Sequence, residues 1–181
     1  MKHIKLLSIF LTILLISILE SCTENNKSNL TLLNKQIPMD KPLVFAPGII
    51  SIDDHVSGSI TFSPDMDELF FNRRKSDESH NLYTMKLIDG EWSEPEPAFF
   101  STNKEFLDFH SRFSPKGDRL YFGSTRPIND TIKTSNNPRG LHQWYIEKDE
   151  NGGWGTPILM GKPFLNIYIM CTTPSKNGNL Y

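Results

Sequence analysis

Ile60-Thr-Phe-Ser-Pro-Asp-Met-Asp-Glu-Leu-Phe-Phe71 returns as Ser111-Arg-Phe-Ser-Pro-Lys-Gly-Asp-Arg-Leu-Tyr-Phe122, and its turn returns again in Thr172-Thr-Pro-Ser-Lys-Asn-Gly-Asn-Leu-Tyr181. Self-similarity over tens of residues decides a fold before any motif does, because each copy is one supersecondary unit. Each copy reads as a hairpin. In the first two, an apolar strand end runs into Ser-Pro, where proline presets φ for a turn. Gly117 and Gly178 accept the positive φ that lets the chain reverse, and Met66 stands at the matching place in the first copy. Leucine and aromatic residues then open the return strand.

A second landmark follows each of the two full hairpins. Asn81-Leu-Tyr-Thr-Met-Lys-Leu87 precedes Gly90-Glu-Trp-Ser-Glu-Pro95, and His142-Gln-Trp-Tyr-Ile-Glu147 precedes Gly153-Trp-Gly-Thr-Pro157. Tyr83 aligns with Trp144, and Trp92 with Trp154. The pattern predicts a strand, a polar turn at Asp89-Gly90 or Asn151-Gly152, and a short outer strand opening on tryptophan. Ser63 and Ser114 lie 51 residues apart, Ser114 and Ser175 61 apart. The extra residues fall in the hydrophilic stretch 125–140, where an exposed connection accepts an insertion. Without them the period is about 50, in the range of four-stranded propeller blades.

The Phe-Ser-Pro hairpin followed by Trp-x-x-Pro resembles the WD-like β-propeller repeat of the TolB type over residues 45–181. Lipoproteins of Bacteroidetes-like bacterial envelopes commonly carry this repeat. The resemblance implies an all-β chain, a β-propeller of four-stranded antiparallel blades. About two and a half blades are expected, at 45–100, 101–163 and the start of a third at 164–181. Propellers typically close with 4–8 blades, so the expectation is an incomplete propeller, a partial sequence of a longer protein. A β-sandwich accounts for hairpins but not for the joint recurrence of both landmarks.

Lys2 and Lys5 precede an uncharged apolar run from Leu6 to Leu19, the marks of a secretory signal. The run is shorter than the roughly 20 residues a bilayer-spanning helix needs. Leu19-Glu20-Ser21-Cys22 resembles the lipobox of bacterial lipoproteins, with Glu20 where that motif usually has a small or apolar residue. The resemblance implies removal of residues 1–21 and acylation of Cys22. Several acyl chains anchor stably, at about 0.8 kcal/mol per buried CH₂, where a single chain is marginal. Residues 22–44, polar and aperiodic, read as a tether. The expected location is the cell envelope, on the periplasmic or surface face of the outer membrane.

Cys22 and Cys171 are the two cysteines, so acylation of the first leaves no disulfide within one chain. Cys171, in the apolar stretch 167–171, is expected as a small buried hydrophobe. Removing Lys2, Lys5 and Glu20 from 19 Lys+Arg and 21 Asp+Glu leaves 17 and 20, a net charge of −3. No basic patch stands out, so nucleic acid is not an expected partner.

No residues show catalytic or metal-ligand spacing, and no cofactor is expected. His55 after Asp53-Asp54, and His110 near Asp108, lack the further ligands a metal requires. Asp65 and Asp67 belong to a turn, whereas a glycosidase needs carboxylates facing each other across a sugar. Ser63 and Ser114 lack the Gly-x-Ser-x-Gly setting of a nucleophile. Trp92, Trp144 and Trp154 would stack on sugars if exposed, but their repetition points to packing. On an extended strand His110 and Arg112 share one face, and Phe109, Ser111 and Phe113 the other. That polar face would look into a propeller channel, which makes His110 and Arg112 the candidate ligand contacts. The expected function is a non-catalytic binding module for an envelope protein or glycan. The alternative is the propeller portion of an exported hydrolase, peptidase or glycan-cleaving.

Overall fold

A computed structural model describes residues 40–75, 80–128 and 140–181. The signal segment, Cys22, most of the tether and most of the inserted loop lie outside the described residues. Residues 44–181 form one compact unit. Among its described residues the regular elements are strands, apart from one 3₁₀ turn at Phe164–Asn166.

Strands β1 (His55–Phe62), β2 (Glu68–Lys75), β3 (Asn81–Ile88) and β4 (Glu91–Trp92) pair in sequence order, and β5 (Glu96–Pro97) returns to pair with β3. Strands β6 (Asp108–Phe113), β7 (Arg119–Ser124), β8 (His142–Glu147) and β9 (Ile158–Leu159) form a second sheet in the same order. All pairings within both sheets are antiparallel. The described residues are all-β, as the repeats predict.

The three hairpins form for one local reason. Ser63 Oγ donates to Asp67 Oδ1 at 2.6 Å and accepts from the Glu68 amide at 3.0 Å. Ser114 does the same with Asp118 at 2.6 Å and the Arg119 amide at 3.1 Å. Ser175 donates to Asn177 Oδ1 and to the Asn179 carbonyl. Each serine thus satisfies turn groups that would otherwise compete for water, the usual use of a short hydroxyl side chain here. The outer edge opens on the tryptophans as the pattern predicts: Trp92 pairs with Leu87, and Trp154 forms a bridge to Lys148. Past the two prolines the chain pairs again, at 96–97 with β3 and at 158–159 with β8.

Strand alternation separates the two faces of β2. Leu69, Phe71 and Arg73 lie on the side of Ile49 and Ile50, whose carbonyls accept from the Arg73 guanidinium. Phe70 lies on the other side, in one core with Leu82, Phe113, Leu120, Phe122, Trp144 and Ile146. Leu120 and Phe122 stand 51 positions after Leu69 and Phe71, so the rear face of the second sheet packs on the front face of the first. The second sheet's own front face receives the third hairpin, with Tyr121 lining a groove beside Pro174 and Leu180. Each large apolar side chain so buried contributes roughly 1.5–3 kcal/mol.

The tryptophans pack, as their repetition indicates. Trp144 is buried in the core. Trp154 lies against Phe70 and Phe113 and donates from Nε1 to Glu68 Oε1 at 3.0 Å. Trp92 meets Phe62 edge-on. Cys171 is exposed, contrary to expectation. The stretch 167–171 is not paired as a strand; it is held by Gln143, whose Nε2 donates to the Ile169 carbonyl at 2.8 Å.

Candidate ligand-binding cleft

The first strand of each sheet breaks its own alternation at the same place. In β1 against β2 the register runs Gly58↔Asn72 and then Thr61↔Phe70. In β6 against β7 it runs Phe109↔Gly123 and then Arg112↔Tyr121. Each first strand therefore carries one extra residue, a β-bulge, which bends the strand and re-aims a side chain. The left-handed residues are Ser59 at φ 50° and His110 at φ 55°, separated by the 51-residue repeat. Histidine is among the side chains that enter this region more readily than most.

Asn72 fixes the second bulge from the first sheet. Its Nδ2 donates to the Asp108 carbonyl at 2.9 Å, and its Oδ1 accepts from the His110 amide at 2.9 Å. The His110 ring comes within 2.7 Å of Ser59 Oγ through Nδ1. When the hydroxyl donates to Nδ1, the ring proton sits on Nε2.

Both bulges open on a cleft of about 460 Å³. Val56, Leu107, Phe109, Leu141 and Met170 give it apolar walls. Ser59, His80 and His110 supply polar groups, and Tyr168 adds a phenol from the 167–171 stretch. Burial holds the His110 imidazole below its ordinary pKa, and nearby Arg112 lowers it further. Burial likewise lowers His80, with Arg74 and His110 adding to the effect.

The two residues expected to share a channel-facing side are separated. His110 lines the cleft. Arg112 is not among its described lining residues, and its Nη1 donates to the Ser111 carbonyl at 2.7 Å. The extra residue of the bulge breaks the simple alternation on which the pairing rested. Ser59, Asn72 and His80 escape a reading of the sequence. Ser59 does leave a trace, since it precedes His110 by one repeat period.

The remaining candidates are engaged locally. Ser63, Ser114 and Asp67 belong to the hairpin turns. His55 Nδ1 lies 3.0 Å from the Asp53 carbonyl. Among the described residues no group of three or more His, Cys, Asp or Glu side chains is placed to hold a metal. No helix among them is long and apolar enough to cross a membrane. No protein-family model matches the chain, and no curated protein matches it either.

Proposed function

We propose that this chain is an envelope lipoprotein whose two sheets are blades of a TolB-like β-propeller, and that it binds a protein or glycan partner at the mouth of the propeller channel. The observation that carries the reading is the shared bulge. Innermost strands line a propeller's channel, and here the first strands of successive units turn Ser59 and His110 into one cleft. The sheets also stack front to rear with a common residue pattern, as blades do. Residues 1–22 supply the envelope address through their lipobox resemblance, with Cys22 as the site of attachment to the membrane.

The test is chemical crosslinking in the envelope, comparing the wild-type chain with Ser59→Ala and His110→Asn. A partner crosslinked by wild type and reduced at least fivefold in both variants supports the reading. Identical crosslinked products from all three would overturn it.

A hydrolase is the second reading, and one observation favours it. Ser59 and His110 form a hydroxyl–imidazole pair at 2.7 Å, the spacing of a nucleophile and its base. The charged group acting on His110 is a cation, Arg112, and not the carboxylate that orients the base in a Ser-His-Asp triad. Labelling of Ser59 by a fluorophosphonate would establish this second reading, and its absence in folded protein would retire it.

A further inference from the structure

The cleft that serves as the proposed binding site has a charge preference. Its apolar walls are Val56 of β1, Phe109 of β6, and Leu107, Leu141 and Met170 from the connections beside them. The described lining includes two histidines and no carboxylate. Among the described residues the charged groups bearing on those rings are cationic: Arg74 from β2 acts on His80, and Arg112 from β6 acts on His110. From β1 the lining carries no titratable group, and from the 167–171 stretch it carries the Tyr168 phenol. Asp108, the acid nearest His110 in sequence, is committed to Arg126 at 2.8 Å. A ligand entering this site exchanges water for apolar surface along its body and meets the His80 and His110 rings at its polar end.

We propose that the cleft selects a ligand ending in a carboxylate on an apolar body, with the carboxylate received by His110 and His80. Ser59 holds Nδ1 of His110, so the bond to the ligand falls to Nε2, which is a donor in the tautomer the Ser59 hydroxyl favours. A carboxylate accepts from such a donor even when the ring is neutral, and more strongly once the ring is charged. This inference rests on the cleft being a binding site and specifies what it binds. The same chemistry occurs on a free aliphatic acid and on the C-terminal residue of an apolar peptide.

Linkage fixes the pH dependence. Burial and the arginines disfavour protonation of both rings in the empty cleft. A bound carboxylate opposes that effect, so binding takes up protons. Affinity then rises as pH falls from 7.5 to 5.5, by at most about tenfold per pH unit for each proton taken up.

Isothermal titration of the full chain with two matched pairs tests this: octanoate against octanol, and acetyl-Phe-Leu against its C-terminal amide. At pH 6 the acid of at least one pair should bind tenfold or more tightly than its neutral partner, and the pair showing it identifies the source of the carboxylate. His80→Ala and His110→Asn should each reduce that preference at least threefold. His110→Asn keeps a residue suited to left-handed φ, and circular dichroism checks that both variants fold. Equal binding of acid and neutral probe in both pairs overturns the carboxylate assignment while leaving the cleft as a binding site. No binding by any probe overturns the assignment too, and the envelope crosslinking then decides the broader reading by itself.

Discussion

Ser59 and His110, repeat-equivalent residues of neighbouring sheets, meet through a 2.7 Å contact between Oγ and Nδ1, both with left-handed backbones. The contact joins the bulge of one first strand to the bulge of the next. Its removal should separate two effects. Ser59→Ala loses the hydrogen bond and keeps the unfavourable φ, costing about 1 kcal/mol. Ser59→Gly loses the same bond but relieves backbone strain of roughly 1–2 kcal/mol, so its net change should be smaller. Urea unfolding of the two variants checks the order, and Ser59→Gly proving the less stable would refute it.

The first hairpin offers a complementary case. Met66 holds φ 59° at the position where Gly117 holds 75° in the second hairpin. A Cβ added at Gly117 would come 3.0 Å from Pro64 Cδ. Met66→Gly should therefore stabilise by about 0.5 kcal/mol, strain relief outweighing the extra entropy of an unfolded glycine. Gly117→Ala should destabilise by about 1 kcal/mol or more. Opposite signs in thermal melts are the expected result.

These positions show how far the sequence could be read. The Ser-Pro hairpins and the packed tryptophans were legible because their signals are local: turn residues at fixed offsets and aromatics at a repeated spacing. The bulges were not. Neither Ser59 nor His110 is glycine, so nothing in the residue types announces positive φ, and the inserted residue separates His110 from Arg112. Buried polar side chains were equally silent, because their partners are distant in sequence. Gln143, for instance, is satisfied by Ile169 and by Thr172, whose Oγ1 donates to Gln143 Oε1 at 2.8 Å.

Three histidines give stability a pH dependence. Burial holds His80, His110 and His142 below the ordinary imidazole value of 6.5. As pH falls through about 6.5 the unfolded chain takes up protons before the folded one. Stability is therefore full above that pH, declines below it, and levels off under the depressed folded values. His142, only 4% exposed, is lowered by burial alone, which makes it the cleanest of the three to test. Urea midpoints at pH 7.5 and 5.5 should show the decline, with His142→Leu shallower than wild type.

Cys22 carries the proposal of membrane attachment. Membrane-extracted protein should have lost residues 1–21 and gained acyl mass, and Cys22→Ala should do neither. Intact-mass measurement decides it, and an unmodified Cys22 in the mature chain would remove the anchor.

The carboxylate nearest His110 in sequence is held in a buried ion pair. Asp108 and Arg126 pair at 2.8 Å with side chains 1% and 10% exposed. Arg126 Nε also donates to Ser124 Oγ at 2.9 Å, and its guanidinium lies over Phe122 and Trp144. Removing one partner strands the other charge in an apolar setting, so Asp108→Asn and Arg126→Met should each cost roughly 3–5 kcal/mol. Replacing both, Asp108→Leu with Arg126→Met, removes two desolvated charges together and should cost less than either single change doubled. A double-mutant cycle by urea unfolding measures the coupling, expected to exceed about 1.5 kcal/mol. Additive single changes would mean that solvent reaches the pair, and the polar link between β6 and the segment after β7 would then be weaker than its burial implies.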